Sequence, residues 1–541
     1  MSKKKYDFII VGSGFGGSVS AMRLAQKGYK VAILEMGQEW NNSDFPKTNW
    51  NIKKYLWQPL IKCFGIQKIT LLRKVMVLHG VGVGGGSLVY ANTLMKAEDK
   101  IFNQEDWPSH IPWAKELSTF YQLAQQMLGV STNKIMKSGE EALRVCAQKL
   151  GVEDTFRPTE VGIYFGEAGV KQADPYFNGD GPAREGCTIC GACMIGCPTG
   201  SKNTLDKNYL YFARKWGVDI FPNTKVTKII PGEDGQVLET TNPKKWFNKK
   251  SESYQSEKII LSAGVLGTMD ILLKNKNIYH TLPHISSMLG KTVRTNGESL
   301  LGATSTRDNV NFSEGIAIGA VIYPDEHTKI ECVRYPEKSS IMKFLAVPLT
   351  GNGSWLTRPL KLIGNLLISL PKTLKLLLIK DWAKNSIILL VMQSSETKLR
   401  LSLGRSIWSF FSKGVQGNVD DGDNMPSYIP IAQKAGKIVA DEIGGISQNI
   451  ASEVLLQTPA TAHILGGAIF GKDKNSGVIN ENHEVFEYPG LYVMDASVIP
   501  SNLAVNPSLT ITALAERFCS KFEKNPNNPE WIVPTITFGH K

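Results

Sequence analysis

Short apolar runs separated by polar or glycine-rich turns mark out the chain. Tyr6–Val11 is one such run and Lys30–Leu34 another, ending at Glu35; between them Ser18–Lys27 has helical composition and meets a stop at Gly28. Runs of this length around one helix predict buried strands of a strand–helix–strand unit. Further on, Gly315–Tyr323, Ile330–Tyr335, Ile387–Gln393 and Lys398–Leu403 predict strands of an antiparallel sheet. No internal repeat breaks this order.

The turn between the first strand and the helix reads Gly12-Ser13-Gly14-Phe15-Gly16-Gly17. A G-x-G-x-x-G motif alone is weak evidence. Placed between a strand and a helix, with Glu35 following at the end of the next strand, it predicts a dinucleotide site. Gly12 permits the tight turn, Gly14 lets the backbone approach a pyrophosphate, and Gly17 lets the helix pack close to the strand. The helix N-terminus supplies N–H donors, and Glu35 is expected to accept from ribose hydroxyls. A second glycine-dense loop, Gly80–Asn92, runs directly into Leu88-Val89-Tyr90. It reads as backbone pressed against a flat or phosphorylated ligand rather than as a flexible linker.

That second loop (GVGVGGGSLVYAN), Lys258–Leu273 (KIILSAGVLGTMDILL), Thr461–Gly467, Gly490–Pro500 (GLYVMDASVIP) and Asn506–Arg517 (NPSLTITALAER) resemble the glucose–methanol–choline (GMC) flavoprotein oxidoreductases. The loop and the last segment are most similar to the cholesterol-oxidase branch. The resemblance implies FAD as cofactor, with Gly12, Gly14, Gly17, Glu35, Gly84, Gly85, Ser87, Asn92, Val226, Asp495 and Asn506 around it. It also places His463 and Asn506 at the family's catalytic pair. Alcohol oxidation removes the hydroxyl proton while hydride leaves carbon, and a neutral imidazole near pH 7 suits that proton. Asn506 and Pro507 read as N-cap and first residue of a helix. Glu331 aligns with the carboxylate that moves a proton within the ketosteroid in the cholesterol-oxidase branch; an ordinary strand glutamate is the competing reading. His79, just before the second loop, is a further candidate for covalent flavin attachment.

Cys187, Cys190, Cys193 and Cys197, the last followed by Pro198, match the C-x2-C-x2-C-x3-C-P spacing of iron–sulfur ligands. Three readings stay open: an iron–sulfur cluster offering electrons an exit to a carrier, a zinc site, and metal-free thiols.

The net charge is +12. Part of it lies in Trp355–Lys380, where Arg358, Lys361, Lys372, Lys375 and Lys380 stand without an acidic residue. On a helical projection Ile363, Leu366, Leu367, Leu370, Leu374, Leu377 and Leu378 share one arc, which Leu362, Ile368, Leu376 and Ile379 break. Pro371 is expected to kink or split this helix. Basic charge paired with leucine predicts either a peripheral membrane surface or a core helix with solvated lysines, and argues against nucleic acid as partner. No apolar run is long enough to span a bilayer and the N-terminal residues do not read as a signal peptide, so a cytoplasmic protein, peripheral to the membrane through this segment, is expected.

With 541 residues, 42% apolar and 20% charged, the chain is expected to be globular rather than disordered. The expected fold is α/β: a doubly wound, Rossmann-like FAD-binding domain (1–290 and 450–523), an α+β substrate domain with an antiparallel sheet (291–449), and a loose or clasping tail (524–541). The resemblance implies oxidation of a 3β-hydroxysteroid to the ketone, with isomerisation of the steroid double bond. The alternative is a GMC alcohol dehydrogenase acting on a long-chain or sugar alcohol. Oxygen and an electron carrier are the two acceptors expected.

Overall fold

The computed structural model describes residues 5–245, 247, 252–368, 370–405, 413–421 and 425–539. Two seven-stranded sheets carry it. In the first, Asp219–Phe221, Val31–Leu34, Lys5–Val11 and Ser253–Leu261 lie side by side and parallel. Ser253–Leu261 divides its outer edge: Ser253–Ser256 pairs antiparallel with Gly235–Thr241, and Ile259–Leu261 pairs parallel with Leu491–Val493. The central segments Phe8–Val11, Val31–Leu34 and Ile259–Leu261 are apolar and buried, as strands covered on both faces are. Helix Phe15–Gln26 packs against Tyr209–Lys215 and Ser508–Ser520. The first helix begins at Phe15, three residues before the expected Ser18, because Gly14 takes the cap position.

The second sheet is antiparallel throughout. Its order is Ala346–Pro348, Gly445–Ile450, Ser299–Ser305, Ser386–Gln393, Thr328–Val333, Ile318–Asp325 and Arg157–Pro158. Helices Ser138–Leu150 and Pro430–Glu442 cover one face with a separate apolar core. Three of the four apolar runs read from the sequence lie in this sheet. The fourth does not: Lys398–Arg405 pairs with Lys413–Asp421 and Val293–Arg294 in a different, four-stranded sheet.

The tail clasps. Asn525 N–H donates to Lys27 O at 2.9 Å, Trp531 Nε1 to Gln26 O at 2.8 Å, and Gln26 Nε2 to Pro534 O at 2.7 Å. The C-terminal end of the first helix is thereby capped by the end of the described chain.

The basic leucine-rich segment is helical over Thr357–Ile368 and over Leu370–Leu378, and residue 369 between them lies outside the described residues, as does any split expected near Pro371. Ile363, Leu367, Leu370, Leu374 and Leu378 of the expected arc are exposed, whereas Leu362 and Leu376, which break the arc, are buried. Leu366 is half-buried, and the side chain of Leu377 lies outside the described residues. Trp355, Leu356, Leu360 and Phe344 extend the exposed apolar face, and Phe344 meets the exposed Trp50 edge to face. The helices meet the protein through Leu362 and Leu376 and leave these large apolar side chains in water. Among the described residues no helix is long and apolar enough to cross a membrane.

Candidate active site

The two glycine loops touch. A Cβ on Gly85 would stand 2.7 Å from Gly14 Cα, and Gly85 has φ +52°, so only glycine closes this contact without strain. Gly17 is equally constrained on the other side, where a Cβ would stand 2.1 Å from Gly12 O. Ser13 ties the loops together. Its Oγ donates to Glu35 Oε2 at 2.7 Å and accepts from Gly84 N–H at 3.0 Å. Ser13 N–H also reaches Glu35 Oε2 at 3.0 Å, and Gly37 N–H reaches Oε1 at 2.8 Å. Burial raises the Glu35 pKa above the usual carboxylate value, and these donors only partly offset it. Ser87 Oγ donates to Gly84 O at 2.7 Å and accepts from Leu205 N–H at 3.1 Å, fixing the second loop from below.

Val226 is buried on Lys225–Gly232, two residues after Thr224, whose N–H donates to Glu35 O at 2.7 Å. The adenine-side expectation thus falls next to Glu35. Asp495 follows strand Leu491–Val493 and caps the short turn after it. Its Oδ1 accepts from Ser497 N–H at 2.8 Å and its Oδ2 from Thr268 Oγ at 2.6 Å, so protein donors already engage both oxygens. Asn92 is buried with φ +70°, and neither polar atom of its amide has a hydrogen-bond partner. Two glycine loops in contact, a buried acid at the second strand and an orphaned buried amide at the loop's end suit an extended dinucleotide such as FAD.

The remaining expected residues converge. His463 Nδ1 bonds Glu298 Oε1, and Ala462 N–H donates to Glu298 Oε2 at 2.9 Å. A carboxylate only accepts, so Nδ1 carries the proton and Nε2 presents its lone pair. Asn506 Nδ2 stands 3.4 Å from that Nε2. Burial pushes the His463 pKa down, but the charge and hydrogen bond of Glu298, helped by Glu331, outweigh it and the net shift is upward. Glu331 lies on Thr328–Val333, fully buried, with the Asn506 amide beside its carboxyl. Burial raises its pKa to about 7, against the pull of His463, the Asn506 amide and Lys329. A gapped sequence match therefore leads to a carboxyl beside the His463–Asn506 pair.

Glu298 itself escaped the sequence reading. The available signal was an acid opening an apolar strand, in Asn296-Gly297-Glu298-Ser299-Leu300-Leu301. Asn506 departs from expectation in one respect. Helix Ser508–Ser520 is preceded by Pro507 at the cap position with no side-chain cap, because the Asn506 amide turns to His463 instead, and its Oδ1 is buried without a partner. His79 lies on Met76–Gly80 with Nε2 engaged by Thr70 Oγ at 3.2 Å, and burial lowers its pKa to about 3.

The iron–sulfur expectation is not met: among the described residues no group of three or more Cys, His, Asp or Glu side chains is arranged to hold a metal ion. Positive φ at Ile189 (50°), Gly191 (70°) and Gly196 (100°) turns the chain between the cysteines. Cys190 ends exposed, Cys193 buried, and Cys197 against Thr199 Oγ.

GMC oxidoreductase family models match residues 6–278 and 429–515, and the chain belongs to that family. It is 41% identical to a cholesterol oxidase of Acinetobacter baumannii over 95% of this chain and 94% of that protein. It is 39% identical to a cholesterol oxidase of Mycobacterium tuberculosis over 98% and 92%. A long-chain-alcohol oxidase of Arabidopsis thaliana is 24% identical over 96% of this chain and 68% of that protein. Among solved structures, pyridoxine 4-oxidase from Mesorbium loti superposes with a TM-score of 0.60 at 14% identity, covering 95% of this chain and 99% of that one. The protein is an FAD-dependent oxidoreductase acting on CH–OH groups.

Proposed function

We propose that the substrate is a 3β-hydroxysteroid, oxidised to the ketone with subsequent migration of the ring double bond, and that oxygen is the electron acceptor. FAD, when bound in the cleft of the two glycine loops, supplies the hydride acceptor. His463 Nε2 takes the hydroxyl proton, and Glu298 at Nδ1 holds the tautomer and stabilises the imidazolium that forms. The Asn506 amide orients the reacting oxygen. Glu331, half protonated near pH 7, removes a proton from the carbon between ketone and double bond and returns it at the far end of the allylic system.

The observation that carries this reading is the second acid. Oxidising a simple long-chain alcohol needs one proton acceptor, and His463 already serves. A second carboxyl buried beside it gains a purpose only when the product is a carbon acid. The cholesterol oxidases among the relatives support the same substrate class. Sterols reside in bilayers, and the exposed leucine face on 356–378, with Lys361 and Lys375 beside it, suits docking on an anionic membrane. Anaerobic mixing with cholesterol should bleach the flavin and yield the conjugated ketone. Bleaching by a long-chain alcohol but not by a sterol would replace this reading with the alternative.

A further inference from the structure

Between residues 296 and 300 one short segment touches His463 and the residue before Asn506. Asn296 Nδ2 donates to Val505 O, the residue before Asn506, at 2.8 Å. Glu298 holds His463 and Ala462. The strand that follows, Ser299–Ser305, pairs with Gly445–Ile450 from Ser305↔Gly445 to Leu301↔Asn449, and there the pairing stops. The next donor along, Leu300 N–H, is taken instead by Glu453 Oε1 at 3.2 Å, and Ser299 Oγ donates to Glu453 Oε2 at 2.9 Å. Glu453 projects from the short helix Ala451–Leu455 and is fully buried.

Glu453 is held in its turn. Arg358, from the first turn of the exposed helix Thr357–Ile368, is also fully buried. Its Nη1 donates to Glu453 O at 3.0 Å, to Ser427 O at 2.9 Å and to Ser427 Oγ at 3.1 Å, while Nε and Nη2 are buried without partners. Burial raises the Glu453 pKa to about 8, against the pull of Ser299, Leu300 and Arg358. An incompletely paired guanidinium beside a buried carboxyl is a costly way to fill space, since a leucine at 453 would pack without desolvating a carboxyl. Strand Ser299–Ser305 stays paired on its other side, Ser299↔Val391 and Leu300↔Leu390, but a leucine could not supply acceptors on the side where the pairing with Gly445–Ile450 ends.

We propose that Glu453 is a positioning residue: by accepting from Ser299 and Leu300 it fixes where Glu298 enters the site, and so sets the orientation of the His463 imidazole. This rests on the reading of His463 as proton acceptor. Glu453 touches no reacting atom in this scheme and acts only through Glu298.

The test compares Glu453→Ala and Glu453→Gln in flavin-loaded protein, with two readouts. The first is kcat and KM on a water-soluble secondary alcohol. The second is the ring ¹⁵N resonances of His463, identified by their loss in His463→Ala. Glu453→Ala should lower kcat by about 10-fold or more, with KM and flavin content unchanged, the signature of lost orientation rather than lost binding. It should also move the Nδ1 resonance in the direction produced by Glu298→Gln. Glu453→Gln, which keeps an acceptor for Leu300 N–H and an amide for Ser299 Oγ, should restore both. A Glu453→Ala protein with lowered melting temperature but unaltered kcat and His463 resonances would overturn the proposal. If that variant does not fold, Ser299→Ala removes one of the two bonds and should shift the resonances part of the way; no shift overturns the proposal. A wild-type protein inactive on every alcohol would refute the catalytic reading alone, because the resonances still report whether Glu453 orients His463.

Discussion

His463 and Glu298 lie 165 residues apart in the chain and share a hydrogen bond at Nδ1 in the folded protein. That bond decides which ring nitrogen faces the substrate. It also decides in which direction the imidazole titrates: burial alone would depress the pKa, and the carboxylate reverses the sign.

Removal of the base should be severe. His463→Ala is expected to lower kcat by about 10²-fold or more while the protein stays yellow, the usual scale for a positioned acid–base group. Stopped-flow reduction of the flavin by substrate measures it directly. Near-wild-type reduction would remove His463 from the chemistry.

The pH dependence follows from the same pair. Proton abstraction needs neutral imidazole, so kcat/KM should rise with pH through a value above the ordinary 6.5, the raised His463 pKa. Glu298→Gln removes the cause of the rise and leaves burial, so the acid limb should move to lower pH while the maximum falls. Glu331 also faces His463 and contributes in the same direction as Glu298, so it should offset part of the burial effect in the Gln variant without restoring the elevation. An acid limb that does not move would exclude Glu298 as its source.

Glu331 makes a separable prediction. Its buried carboxyl keeps its proton to about pH 7, whereas in the unfolded chain it ionises near 4.5. The stability contributed by the neutral form is therefore present in full below 4.5 and is lost as pH rises through 7. Glu331→Gln, neutral at every pH, should gain relative stability between those values, by up to about 3 kcal/mol. The variant should still oxidise sterol but release the unconjugated ketone. Melting curves at pH 5 and pH 8, with product spectra, test both halves.

Much of this was legible before any coordinates. Gly12, Gly14, Gly17 and Glu35 announced themselves because a phosphate-binding turn imposes fixed spacing on a few adjacent residues. Glu298 and the Ser13 brace were invisible for the opposite reason: what matters there is a contact across long separation, and no local pattern encodes it. The leucine-rich segment misleads in an instructive way. Its regular arc suggested packing or membrane, and the irregular Leu362 and Leu376 proved to be the buried ones, because helical periodicity locates a face without saying which side meets the protein. The cysteines show the same limit, since correct spacing does not by itself arrange side chains to hold a metal ion, and among the described residues none are so arranged.

The loop contact gives a sharp test of cofactor binding. Gly85→Ala should lose most of its flavin, since the new methyl meets Gly14 backbone at 2.7 Å and the φ of +52° disfavours any side chain. Gly364→Ala, in the exposed helix with nothing near the new Cβ, should keep full flavin. Absorbance at the flavin band per mole of protein distinguishes them.

For the membrane face, Leu367→Asp combined with Leu374→Asp should reduce turnover of sterol carried in anionic vesicles far more than turnover of detergent-dispersed sterol. Both side chains are exposed, so folding should be unaffected. Raised salt should weaken the wild-type advantage on vesicles. Equal losses on the two substrates would show that these leucines do not dock.

The strand Leu491–Val493, which completes the parallel sheet against Ile259–Leu261, sets an order on synthesis. Folding on the ribosome proceeds from the N-terminus, yet the sheet that begins at Lys5 waits for a strand from the last tenth of the chain. His463, Asn506 and the helix at Ser508–Ser520 arrive equally late. A site that needs Asp495 and Asn506 is therefore complete only after residues 491–520 have been made, long after its glycine loops. Cellular flavin supply should then govern how much newly made protein survives, and far less how well the mature enzyme persists.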